Sequence, residues 1–257
     1  MILTGDYHTH TPYSHGKNTV AENVERAKEL GLKEIAITDH GLTHIVFGLT
    51  NRKLKSYRQE CHEAQEKYGI KVLVGIEANI LGETGKSDLN ESNFDLFDVY
   101  LCGNHLAVNY DGFKNVWHYG LANIFNQFTK RNSKKLIKYN TTAYINAIKN
   151  NPIDAVTHLS YLCPCNSLEV AKCAEDYGTY IELNAKKQHL TDDELNEIIA
   201  KTSVRFIINS DAHSQDRVGD TKLVEEQLAR LNFPMDRIDN IDGRYPKFRF
   251  TAFKKQG

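Results

Sequence analysis

The sequence predicts an α/β fold in which seven parallel strands, with helices between them, form a closed or nearly closed barrel. Three observations carry this. The length of 257 residues suits one barrel. Seven short runs rich in Val, Ile, Leu and Tyr fall at 2–7, 34–38, 71–76, 97–102, 153–157, 179–183 and 204–208. Between them lie segments with helical spacing, and strict alternation of strand and helix implies a parallel sheet. Seven unbroken units favour a barrel, although the count alone leaves an open doubly wound sheet available.

Taken in order, the first strand leads into a segment ending at Thr19, whose side chain suits a helix N-cap. The helix expected over 19–30 places Val20, Val24 and Ala27 on one face. Helices follow at 51–68, 133–149, 167–177, 192–201 and 220–231, the fifth of the six with Thr191 as its N-cap. Gly31, Gly69 and Gly178 each stand between a helix and the next strand, where a left-handed residue belongs. Two stretches break the rhythm. The polar segment 82–96 reads as an excursion after the third strand. Segment 107–131 carries Tyr110, Phe113, Trp117 and Tyr119 and reads as a covering loop, with a helix packed over the barrel mouth as the alternative. A single domain over 1–257 is expected.

Lys and Arg number 32 against 33 Asp and Glu, a net charge of -1, so bulk charge gives no hint of extended nucleic-acid contact. No apolar run approaches the roughly 18 residues of a membrane span, and no membrane partner is expected. The first residues, MILTGDYHTH, lack the basic start and apolar core of a signal peptide, and the cysteines are five and unpatterned, so a reduced, cytoplasmic chain is expected. Cys163 and Cys165 lack the further spaced ligands of a zinc knuckle.

Histidine placement is the anomaly. His8, His10 and His15 follow the first strand, His40 ends the second, Glu77 the third and His105 the fourth. His158 ends the fifth strand, Asn184 the sixth, and Asp211 with His213 the seventh. In a barrel those C-terminal strand ends converge on one face. Neutral imidazoles and carboxylates are ligands for zinc, iron and manganese, and so many buried rings without a cation would lack acceptors. His8 and His10, like Asp211 and His213, are two apart and point to one side of an extended chain. Nine candidate ligands exceed one ion's coordination and fit two or three divalent ions, with zinc foremost and manganese or iron also suited.

The series DYHTHTPYSH, ITDHG, GIEANI, GNH, VTH and NSDAH, with FPMDRI near the end, resembles the PHP (polymerase and histidinol phosphatase) superfamily, in particular its stand-alone bacterial phosphatases. The resemblance implies a distorted, TIM-like (β/α)7 barrel with a trinuclear metal centre. It places His8, His10 and Asp211 with Glu77 on one ion; His15, His40 and His213 on a second; and His105 and His158 on a third, which Glu77 shares with the first. It further implies hydrolysis of small phosphomonoesters by a metal-bridged hydroxide, histidinol phosphate among the candidates, with Glu77, Asp211 and His213 central to catalysis. A phosphodiesterase or exonuclease acting on nucleotides or DNA ends, and a metal-loaded domain without catalysis, are the alternatives.

A small anionic substrate also needs donors at the rim. Lys186 and Arg217, just past strand ends six and seven, and Ser14, among the first ligands, are the candidates. Asp39 is expected to orient His40 or a neighbouring water without binding metal itself. His62 and His189 read as surface or satisfied polar residues, and His44 or His118 as alternatives for the substrate pocket wall.

Overall fold

The computed structural model describes residues 1–255. Its strands are β1 (Gly5–Asp6), β2 (Glu34–Ile37), β3 (Lys71–Asn79), β4 (Val99–Gly103), β5 (Ala155–Val156), β6 (Tyr180–Asn184) and β7 (Phe206–Asn209). They form one sheet in chain order, with each neighbouring pair parallel. Between β7 and β1 the wall is completed largely by side chains. The Tyr7 amide donates to Asn209 Oδ1 at 3.1 Å, and the Ser210 amide to Asp6 Oδ1 at 3.1 Å. Two backbone bonds, from His10 N to the Ala212 carbonyl at 2.8 Å and from Ala212 N to the His8 carbonyl at 3.3 Å, lie above them.

The helices are α1 (Val20–Glu29), α2 (Asn51–Tyr68), α3 (Phe113–Asn115), α4 (Ala122–Thr129), α5 (Lys134–Asn150), α6 (Ser167–Tyr177), α7 (Asp192–Lys201), α8 (Lys222–Arg230) and α9 (Arg249–Lys254). Thr19 and Thr191 close capping boxes with Glu22 and Glu194, satisfying otherwise orphaned first-turn N–H groups. Helices α2 and α6 end on Gly69 and Gly178 at φ +67°, a left-handed conformation that a Cβ disfavours.

Alternate residues of each strand point into the barrel. At its base Tyr7, Ala36, Val99, Leu101, Ala155, Tyr180 and Ile207 form an apolar cluster, against which Phe248 packs. Further along the same strands the interior turns polar: Thr38, Glu77, Thr157, Glu182 and Asn209 are all buried. The opposite strand faces, among them Ile37, Ile76 and Ile181, join the helices in a separate, larger core. Burial of these faces holds the barrel, and the polar upper interior is what the base supports.

Three expectations need correction. The first strand shrinks to two residues because Leu3 pairs with Ile241 and the Thr4 amide bonds to Asn240, drawing the N-terminus toward the far end of the chain. The third strand runs on to Asn79, held by Asp88 from the polar excursion, whose carboxylate accepts from the Asn79 amide at 2.8 Å. Of the two readings of segment 107–131, the helix holds from Phe113 onward and the covering loop does not. α3 continues through a π-helical stretch, Val116–Leu121, into α4.

Candidate metal centre

Parallel strands deliver all nine candidate ligands to one end of the barrel. Glu77, buried at the end of β3, is the hub. Its Oε1 lies 2.6 Å from His158 Nε2, 3.3 Å from His105 Nε2 and 3.4 Å from His8 Nε2. Its Oε2 lies 2.8 Å from His40 Nδ1 and 3.6 Å from His10 Nε2. Burial alone would raise this carboxyl, yet the imidazoles of His105, His8, His40 and His158 together hold it well below the usual carboxylate range.

Ligand atoms gather in three groups: His8, His10 and Asp211; His10, His15, His40 and His213; and His40, Glu77 and His105. The first lacks the Glu77 that the resemblance places with those three. The second gains His10, and the third contains His40 where His158 stood, with His158 reaching Glu77 instead. Burial pushes His40 down to about 3 and His15 to about 4, leaving both as the neutral imidazoles that ligate metals.

The donor set fits divalent ions on grounds internal to the structure. His8 Nε2 faces His10 Nε2 at 3.1 Å, and His15 Nε2 faces His213 Nε2 at 2.7 Å. Glu77 Oε2, His40 Nδ1 and His158 Nδ1 are buried without a hydrogen-bond partner. The first two are close but misaligned for a hydrogen bond, an arrangement suited to a shared cation and costly without one.

Hydrogen bonds behind the ligands fix which nitrogen faces inward. Glu182 Oε1 sits 2.7 Å from His8 Nδ1, while its Oε2 accepts from the His158 amide at 2.8 Å and from Asn184 Nδ2 at 2.9 Å. Asn79 Oδ1 sits 2.8 Å from His105 Nδ1, and its amide nitrogen donates to Asp88 at 2.6 Å, which sets the amide's orientation. In both cases Nδ1 carries the proton and Nε2 is free for a metal. Two candidate ligands, His158 (φ +32°) and Asp211 (φ +50°), occupy left-handed backbone that non-glycine residues seldom adopt. Gly103 makes room for His158, since a Cβ there would lie 2.7 Å from His158 Cε1 and 2.2 Å from Thr157 Oγ1.

The centre floors a cavity of about 500 Å³, within the ordinary range for small-molecule sites. Lys186 stands on its wall, with Nζ 3.0 Å from His213 Nδ1 and 3.4 Å from Asp211 Oδ1. Phe47, Leu106, Tyr161 and Leu162 give the wall an apolar portion.

Other rim expectations fall elsewhere. Arg217 is not among the cavity-lining residues: its guanidinium pairs with Asp220 at 2.6 Å and donates to the Ala185 carbonyl. Ser14 Oγ is engaged by Asp39. Asp39 accepts from Thr11 and Ser14 and approaches His10 at 4.0 Å, so it braces the loop carrying His10 and not His40. His44 lines the cavity and His118 does not, while His189, expected to be a surface or satisfied polar residue, also lines it. Glu182, Asn79 and Asp88 were missed. Glu182 lies two residues after Tyr180 in YIELN, so strand alternation was the available signal that it points inward.

A model of the PHP domain matches residues 6–186, most of the chain. The chain belongs to the PHP family. Among relatives, a probable phosphatase of Caldanaerobacter subterraneus is 29% identical, the match covering 93% of this chain and 88% of that protein. A probable phosphatase of Vibrio parahaemolyticus is 28% identical over 98% of this chain and 94% of its own length. Among solved structures, histidinol phosphate phosphatase from Lactococcus lactis, complexed with zinc, L-histidinol and phosphate, superposes with a TM-score of 0.60 at 17% identity. That superposition covers 88% of this chain and 92% of the other, and shows the shared barrel fold.

Replacing Glu182 with Gln is expected to lower metal affinity about 10–100-fold while the fold persists, because it disturbs the orientation of His8 without touching an ion. Titration against a competing chelator measures this; unaltered affinity would show that His8 needs no such partner.

Proposed function

We propose that this chain is a metal-dependent phosphatase for small phosphomonoesters, with histidinol phosphate the first compound to test. The observation that carries the reading is the buried Glu77 carboxylate, ringed by imidazoles on the floor of a small cavity that Lys186 overlooks. The names of the relatives, and the histidinol and phosphate bound by the Lactococcus protein, support it.

The ligand sets proposed are His8, His10, Asp211 and Glu77 for one ion; His15, His40 and His213 for a second; and His105, His158 and Glu77 for a third. When bound, such ions supply positive charge against phosphoryl oxygens and lower the pKa of a water toward neutrality. The chain's own residues do the rest. Glu77 balances charge at the centre, and Glu182 and Asn79 hold His8 and His105 in their ligating tautomers. Lys186, with its ammonium at the cavity wall, binds the phosphate. Phe47, Leu106, Tyr161 and Leu162 offer apolar surface to the alcohol half of the ester.

A terminal phosphate presents more free anionic oxygens than a diester. Hydrolysis of p-nitrophenyl phosphate is therefore expected to exceed that of bis(p-nitrophenyl) phosphate at least about tenfold in kcat/KM. Preference for the diester would move the chain to the phosphodiesterase reading.

A further inference from the structure

The helical segment from α3 through α4 is built inside out. Its protein-facing side is polar: Asn115, Tyr119, Asn123 and Asn126, at helical spacing, are buried. Asn123 and Asn140 exchange amide hydrogen bonds at 2.8 and 2.9 Å, Tyr139 donates to Asn115 Oδ1 at 2.9 Å, and Asn126 Nδ2 donates to Asn132 Oδ1 at 2.8 Å. These bonds fix the helix's rotation, because turning it would bury apolar groups only by stranding the amides.

The outward side is consequently apolar. Phe113 is 75% exposed, Trp117 54%, Phe125 61% and Phe128 83%, with Leu121 and Ile124 among them. Four aromatic rings at such exposure present on the order of 500 Å² of apolar surface, in the upper part of the range for a monomer's largest patch, which is often functional. The charge beside it is one-sided. Between Asp111 and Asp154 the chain has seven Lys and Arg and no Asp or Glu; Lys114 pairs with Glu83 at 3.5 Å, whereas five of the others lie between Lys130 and Lys138, directly after Phe128.

We infer that this face docks on an anionic phospholipid bilayer, lying in its surface without spanning it. Aromatic and aliphatic side chains on one helical face, flanked by unbalanced cations, match the apolar boundary and negative headgroups of such a surface together. A second copy of the chain fits less well, since a two-fold contact through the same face brings like-charged clusters together. The segment is tied to the cavity rim: Gln127 Nε2 donates to the carbonyl of Leu162, a cavity-lining residue, at 2.6 Å. The average charge and hydropathy of the chain gave no sign of this surface, because both dilute a local patch.

Trp117 is the chain's one tryptophan and reports on the patch directly. With vesicles of phosphatidylserine and phosphatidylcholine, its emission is expected to shift to the blue and the protein to sediment with the lipid. Phosphatidylcholine alone should do neither, and 0.5 M salt should release the protein. K134E/K135E should weaken binding at least about tenfold, and F125S/F128S should abolish it, both keeping wild-type far-UV circular dichroism and hydrolysis of p-nitrophenyl phosphate. Absence of both shift and co-sedimentation with the anionic vesicles, or equal binding to both lipids, overturns the inference. So does a lipid-free dimer in sedimentation velocity that F125S/F128S dissolves, which would assign the face to a second copy.

Discussion

Glu77→Gln is expected to remove at least one ion per chain and to lower kcat/KM at least about a thousandfold, roughly 4 kcal/mol of transition-state stabilisation. The substitution keeps the side chain's shape and deletes its charge. It also puts an NH2 group where one carboxylate oxygen now faces either His158, His105 and His8 or His40 and His10. Ions that share a carboxylate lose both a ligand and the negative charge that offsets their repulsion. Removal of a peripheral ligand such as His15, in His15→Ala, should cost less. Emission spectrometry and steady-state kinetics on both variants decide the matter: full occupancy with full turnover in Glu77→Gln would end its central role.

Stripping the metal should cost the fold as well as the activity. His8, His10, His40, His105, His158, Glu77 and Asp211 are all buried, and without ions they crowd one another in a space that water reaches poorly. A ligand present at a thousand times its dissociation constant stabilises the state that binds it by about 4.1 kcal/mol. For a chain of this size, two or three such sites correspond to a fall in Tm on the order of 10 °C or more after chelation. Calorimetry before and after dialysis against a chelator measures it, with restoration by zinc, manganese or iron as the second arm. An unchanged Tm with metal demonstrably gone would show the polar interior to be self-sufficient.

How far the sequence could be read follows from the range of each signal. Strand and helix positions came through because alternation and capping are local: α2, α6 and α7 coincide with the expected spans, and Thr19 and Thr191 cap as expected. The gathering of the candidate ligands was legible because a parallel barrel collects strand ends, whatever its detailed register. Residues behind them were not. That Glu182 meets His8, or that Asp88 fixes Asn79 and through it His105, depends on pairings between distant strands and an irregular excursion that no spacing encodes. The carboxylate partners of Arg217 and Ser14 were illegible for a related reason, since proximity in the chain to a candidate ligand says nothing of the nearer Asp220 or Asp39 that engages the side chain. The α3 to α4 segment shows helical spacing in both its asparagines and its aromatics, but a reading that assigns apolar residues to the inside has no place for it.

The wall between β7 and β1 has a consequence for how the protein is made. Asp6 and Ser210, which bridge it, are 204 positions apart, and His8, His10 and Asp211 flank that junction. A ribosome adding 5–20 residues per second leaves the first histidines waiting about 10–40 s for their last-made neighbours. Throughout that interval the nascent chain presents imidazoles with no finished pocket, open to any ion or chaperone at hand. The centre thus cannot be complete before Asp211 and His213 are made, and the barrel cannot shut across this junction any sooner.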